Sequence, residues 1–183
     1  PIIAPYFADV DTRPSGSGLT RYGQGQVDID PGSGVNNRAA FGVTWIDVGY
    51  YGYHTDKLNS FQMIIIDRSD VGAGDFDMEF NYDKIEWETG DASGGSNGYG
   101  GTSAAVGFSA GTGVANTYYQ LQGSFIHGAL LDSGPAEARS SVSTRTARAN
   151  SSIFPEGVGN TKSENATSWW PGGSTGPWRR RSR

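Results

Sequence analysis

The chain has 183 residues, a net charge of −5, 36% hydrophobic and 18% charged residues, and no cysteine. That length suits one domain or one domain plus a tail, and the lack of thiols excludes a disulfide scaffold and any thiolate metal or nucleophile site. No apolar run reaches the roughly 18 residues of a spanning helix, so no membrane span is expected.

The chain opens at Pro1-Ile2-Ile3 without an initiator Met, as if cut from something longer. Along it, Phe41, Val43 and Trp45 alternate with polar or small residues. The same holds for Phe61, Met63 and Ile65, for Phe76, Met78, Phe80 and Tyr82, and for Ile85 and Trp87. Period-two alternation predicts strands with one buried and one wet face. Between them lie turn clusters rich in Gly, Pro, Ser and Asp, at residues 13–18, 30–34, 70–75 and 90–101. No capped 3.6-period stripe interrupts this order. The pattern predicts an all-β protein, an antiparallel β-sandwich-like sheet with long Gly-rich loops.

The charge is divided unevenly. Residues 1–132 carry six Lys/Arg against sixteen Asp/Glu, whereas residues 133–183 carry eight against three. The latter segment has ten serines, four prolines and six glycines and little periodicity, so it reads as a low-complexity basic tail, disordered or translated out of frame. The acidic body is repelled by phosphate, so nucleic acid is not an expected partner.

Several blocks resemble a known family. Ile3-Ala4-Pro5-Tyr6-Phe7-Ala8-Asp9-Val10-Asp11-Thr12-Arg13 is similar to a characteristic block of nidogen-like (NIDO) extracellular domains. Similar blocks follow in the family's order: residues 44–51, Asn59-Ser60-Phe61-Gln62, residues 80–90, Ala92-Ser93-Gly94-Gly95, residues 107–111, and Leu121-Gln122-Gly123-Ser124. The wording of residues 81–95 is closest to bacterial exported members. The resemblance covers residues 3 to about 132 and implies a partial domain over 1–132, lacking the family's usual segment before the first block and its final strand. It further implies a non-enzymatic, secreted or cell-surface module for cell–matrix or surface adhesion, whose partner is an extracellular protein or glycan.

Three kinds of chemistry compete with that reading. Gly107-Phe108-Ser109-Ala110-Gly111 fits the pattern of a nucleophile elbow, but a turn and a strand follow it where that motif requires a helix. Glu86 and Glu88 flank Trp87 and, on a strand, share a solvent face about 7 Å apart. With Glu79 they would be the acids of a carbohydrate-active enzyme, although Ile85 and Trp87 pointing inward explain them as solvated residues. Asp9, Asp11, Asp28 and Asp30 form i, i+2 pairs beside turns, an oxygen supply suited to calcium. Calcium is therefore the candidate cofactor, in a calcium-stabilised structural module. Equally, Asp9 and Asp11 are placed to hold a turn against Arg13. For partner binding the candidates are Tyr50, Tyr51 and Tyr53 in a Gly-Tyr-Tyr-Gly-Tyr-His turn, with core packing the competing role for the first two.

Overall fold

The computed structural model describes residues 1–28 and 37–134, together with the backbone of 147–150. Among these residues there are nine strands, all antiparallel, and a single 3-10 turn at Asp91–Ser93. The strands are β1 (Ile2–Phe7), β2 (Val10–Asp11), β3 (Thr20–Asp28), β4 (Asn37–Tyr50), β5 (His54–Asp67), β6 (Asp75–Lys84), β7 (Ala105–Ser109), β8 (Tyr118–Gln120) and β9 (Ala147–Asn150). They make a three-stranded sheet, β1-β7-β8, and a larger one, β2-β4-β5-β6-β9, in which β3 also pairs with β4.

The alternating aromatic runs fall into register on the larger sheet. Trp45 lies opposite Phe61 and Phe61 opposite Tyr82; Val43, Met63 and Phe80 form the next row. This face packs on the smaller sheet, whose Tyr6 and Val106 join Phe61, Met78, Phe80, Leu121 and Leu130 around Trp87. Burial of these rings removes large apolar surfaces from water, and truncating a core Trp typically costs about 3–5 kcal/mol.

Two expectations need correction. The opposite face of the long strands is not uniformly wet: Ile64 and Ile66 are buried, and so are Thr44, Gln62 and Asn81. Those polar groups serve one another. Gln62 Nε2 donates to Thr44 Oγ1 at 2.8 Å, and Asn81 Nδ2 donates to Gln62 Oε1 at 3.4 Å, which makes their burial tolerable. Secondly, Ile85 and Trp87 are not on a strand, because β6 ends at Lys84. Asn59 holds the segment beyond it. Its Oδ1 accepts the N–H groups of Glu86 and Trp87 at 2.8 and 3.1 Å, and its Nδ2 donates to the Trp87 carbonyl at 2.9 Å.

Much of the expected tail, and the 30–34 turn with Asp30, lies outside the described residues. Of the tail, residues 147–150 are seen as β9, paired with Asp75–Met78 of β6.

Candidate interaction surface

Three of the blocks that carried the resemblance converge at one end of the sandwich. Strand β2 pairs Val10 with Tyr50 and Asp11 with Gly49, which sets the 9–13 segment beside the β4–β5 hairpin. The Tyr51 N–H donates to the Asp9 carbonyl at 2.8 Å, and the Ser93 N–H donates to Asp9 Oδ2 at 2.9 Å, tying in the 90–95 segment. Gly90 is required at this junction: a Cβ there would lie 2.9 Å from the Asp9 and Tyr51 Cβ atoms.

Asp11 is the fixed point of the cluster. Its side chain is only 2% exposed. Oδ1 accepts from the Arg13 backbone N–H at 3.0 Å and from Nε at 2.8 Å, while Oδ2 accepts from Nη2 at 2.7 Å and from the Tyr53 N–H at 3.4 Å. The bidentate guanidinium and the two backbone donors hold the Asp11 carboxyl well below the usual carboxylate range, and Asp11 in turn raises Arg13.

Held this way, the Arg13 guanidinium lies over two tyrosine rings, 4.5 Å from the Tyr53 centroid and 5.3 Å from that of Tyr51. Tyr51 is 45% and Tyr53 62% exposed. The hairpin tip is locked by left-handed backbone at Gly52 (φ 103°) and Tyr53 (φ 64°). His54 Nε2 reaches Asp91 Oδ2 at 3.1 Å across the turn. The result is a flat cation–π surface on a rigid hairpin.

Tyr50 departs from this surface. It is fully buried, stacked on His54 at 4.7 Å and tilted against Trp87 at 5.5 Å. Its hydroxyl donates to Asp56 at 2.8 Å, and burial with that bond raises the phenol above its ordinary value. A ring in the core has no face to offer a partner.

The acidic candidates are scattered. Asp28 closes β3 opposite Asn37, whereas Asp11 lies opposite Gly49 near the other end of β4. At about 3.3 Å per residue these sites are roughly 40 Å apart. Asp9 and Asp11 spend their carboxylates on backbone and Arg13, and among the described residues no group of three or more His, Cys, Asp or Glu is placed to hold a metal ion.

Nor do the glutamates share a solvent face. Glu86 is exposed and accepts the Leu58 N–H at 2.8 Å. Glu88 turns inward to 1% exposure, because the 85–90 segment leaves the pleat. Its Oε2 accepts the Gly128 N–H at 2.6 Å, and its Oε1 lies 3.4 Å from His127 Nδ1. Ser103 Oγ meets the same His127 nitrogen at 2.6 Å. A nucleophile relay needs serine and acid on opposite ring nitrogens, so this trio pins two loops together and is not arranged as a triad. Neither the inward turn of Glu88 nor the Asp11–Arg13 bidentate pair has a periodic signature; the i, i+2 spacing of Asp11 and Arg13 was the available signal.

Fold and surface together describe a β-sandwich module that braces a short, exposed hairpin with buried polar side chains. The chain belongs to the nidogen-like domain family, whose match spans residues 1–144. This is a class of extracellular, non-enzymatic modules. Among curated proteins, the chain is similar to alpha-tectorin of Gallus gallus, 40% identical over 87 residues. It is similar also to alpha-tectorin of Mus musculus and of Homo sapiens, 41% identical over 87 residues in each. The matches cover 46% of this chain and 4% of each relative. No solved structure matches the chain.

Proposed function

We propose that the chain is an adhesion module that binds an extracellular protein through the Arg13–Tyr51–Tyr53 cluster. One observation carries the reading: a buried carboxylate with four donors fixes an exposed guanidinium against two exposed tyrosine rings. Arg and Tyr are the side chains enriched at binding hot spots, and rigid presentation lowers the ordering cost of association. Family membership and the similarity to alpha-tectorin support an extracellular setting.

The test is binding of the full chain to a panel of immobilised extracellular-matrix proteins, in parallel with a glycan array. Saturable binding to a matrix protein, weakened at least about tenfold by Tyr53→Ala and by Arg13→Ala, is expected. Binding only to glycans would overturn the assignment of a protein partner. Protein binding indifferent to both substitutions would overturn the surface.

A further inference from the structure

A second surface lies on the outer face of the small sheet. Its inner face, with Ile3 and Phe108, packs on the core. On the outer face the cross-strand rows are Ile2, Ser109 and Tyr118, then Ala4, Gly107 and Gln120. The small side chains of Ala4 and Ser109 and the bare Gly107 floor a groove of about 300 Å³, walled by Ile2, Phe7, Tyr118 and Phe125. Gly107 lets β8 approach β7 this closely, since a Cβ there would lie 2.1 Å from the Tyr119 carbonyl oxygen. No charged residue lines the groove.

Beside the hollow stands a projection. Phe125 holds left-handed backbone, φ 62°, a costly conformation for an aromatic residue. Its N–H donates to the Ala104 carbonyl at 3.0 Å, and Ser124 Oγ accepts the Val106 N–H at 3.0 Å, so the strained turn is anchored to β7 and the segment just before it. The turn leaves Phe125 52% exposed, on the same groove as Phe7 at 59% and Tyr118 at 57%.

We infer that this face joins two copies of the chain in a twofold dimer, the Phe125 projection of each copy entering the groove of the other. Hollow and projection lie on one surface, which is the condition for an isologous contact. The half-exposed Ile2, Phe7, Tyr118 and Phe125 with the groove floor leave roughly 500 Å² of apolar area per copy, taking about 200 Å² for a large side chain. Two copies thus bury on the order of 1,000 Å², the size a biological interface has to reach. Each chain carries −5 overall, so an uncharged patch is where two copies meet with least repulsion.

Sedimentation velocity on the full chain between about 1 and 100 µM tests this, because interfaces at the small end of the size range belong to weak, transient complexes. The expected result is a species of twice the 19.4 kDa chain mass at the upper concentrations. Phe125→Asn accepts left-handed backbone, leaves the fold intact, and weakens dimerisation at least about tenfold; Tyr118→Glu does the same by placing a charge on the rim. A wild-type chain monomeric throughout the range overturns the inference. So does a dimer that persists unchanged in Phe125→Asn, which would place the contact elsewhere.

Discussion

Replacing Asn59 by alanine tests how the segment leading into the hairpin end is held. Asn59 is fully buried on β5 and makes three hydrogen bonds to a stretch without ladder partners. The Trp87 carbonyl retains the Tyr6 hydroxyl at 2.8 Å, so it keeps a donor in the variant. The N–H groups of Glu86 and Trp87 have no such substitute. Each orphaned buried donor costs about 1–3 kcal/mol, and the loss falls at the lower end for Glu86, whose side chain is exposed. The small cavity adds to this, giving a total of about 3–4 kcal/mol. Against the 5–15 kcal/mol of a typical domain the variant still folds, but with a markedly lower denaturation midpoint. Urea unfolding followed by Trp fluorescence reads the change directly, since Trp87 is at the centre of the core. A loss below about 1 kcal/mol would show that Asn59 does not brace the segment.

Asp11 gives a pH signature. Its folded carboxyl lies below the ordinary value, so its contribution is present above the unfolded value near pH 4 and is lost as pH falls toward the folded one. The melting-temperature gap between wild type and Asp11→Asn should accordingly be widest near pH 7 and shrink toward pH 2; a constant gap would refute the linkage. At the hairpin tip, Gly52→Ala would place a Cβ 2.5 Å from Asp91 Oδ2 and 2.8 Å from the His54 ring, on backbone at φ 103°. It should destabilise the chain by about 1–3 kcal/mol in the same urea assay, and a neutral result would contradict the packing of that turn. Calcium offers a further check, because the Asp9 and Asp11 carboxylates already accept protein donors. Millimolar calcium or chelator should leave the melting temperature within about 2 °C, and a larger rise abolished by Asp11→Asn would show a site there after all.

The sheet is legible wherever its stabilisation is periodic. Trp45, Phe61 and Tyr82, or Val43, Met63 and Phe80, announce their strands by alternation and land in adjacent register. What escapes is held by non-local bonds. Glu86, Trp87 and Glu88 continue the alternation in the sequence, yet Asn59, some 28 residues away, captures the backbone of Glu86 and Trp87, and Gly98 and Gly128 hold Glu88 in the interior. Tyr50 is part of the same aromatic turn as Tyr51 and Tyr53, but His54, Trp87 and Asp56, none adjacent to it in sequence, hold its ring in the core. The pairing of β1 with β7, across about a hundred residues, has no local signal either.

Arg13, Tyr51 and Tyr53 are the proposed partner-binding surface. The most direct test compares wild type, Tyr53→Ala and Tyr51→Ala on the matrix-protein panel, after each variant is shown to unfold at the wild-type urea midpoint. Retained stability with binding weakened at least about tenfold is the expected result. Undiminished binding by both stable variants would contradict it.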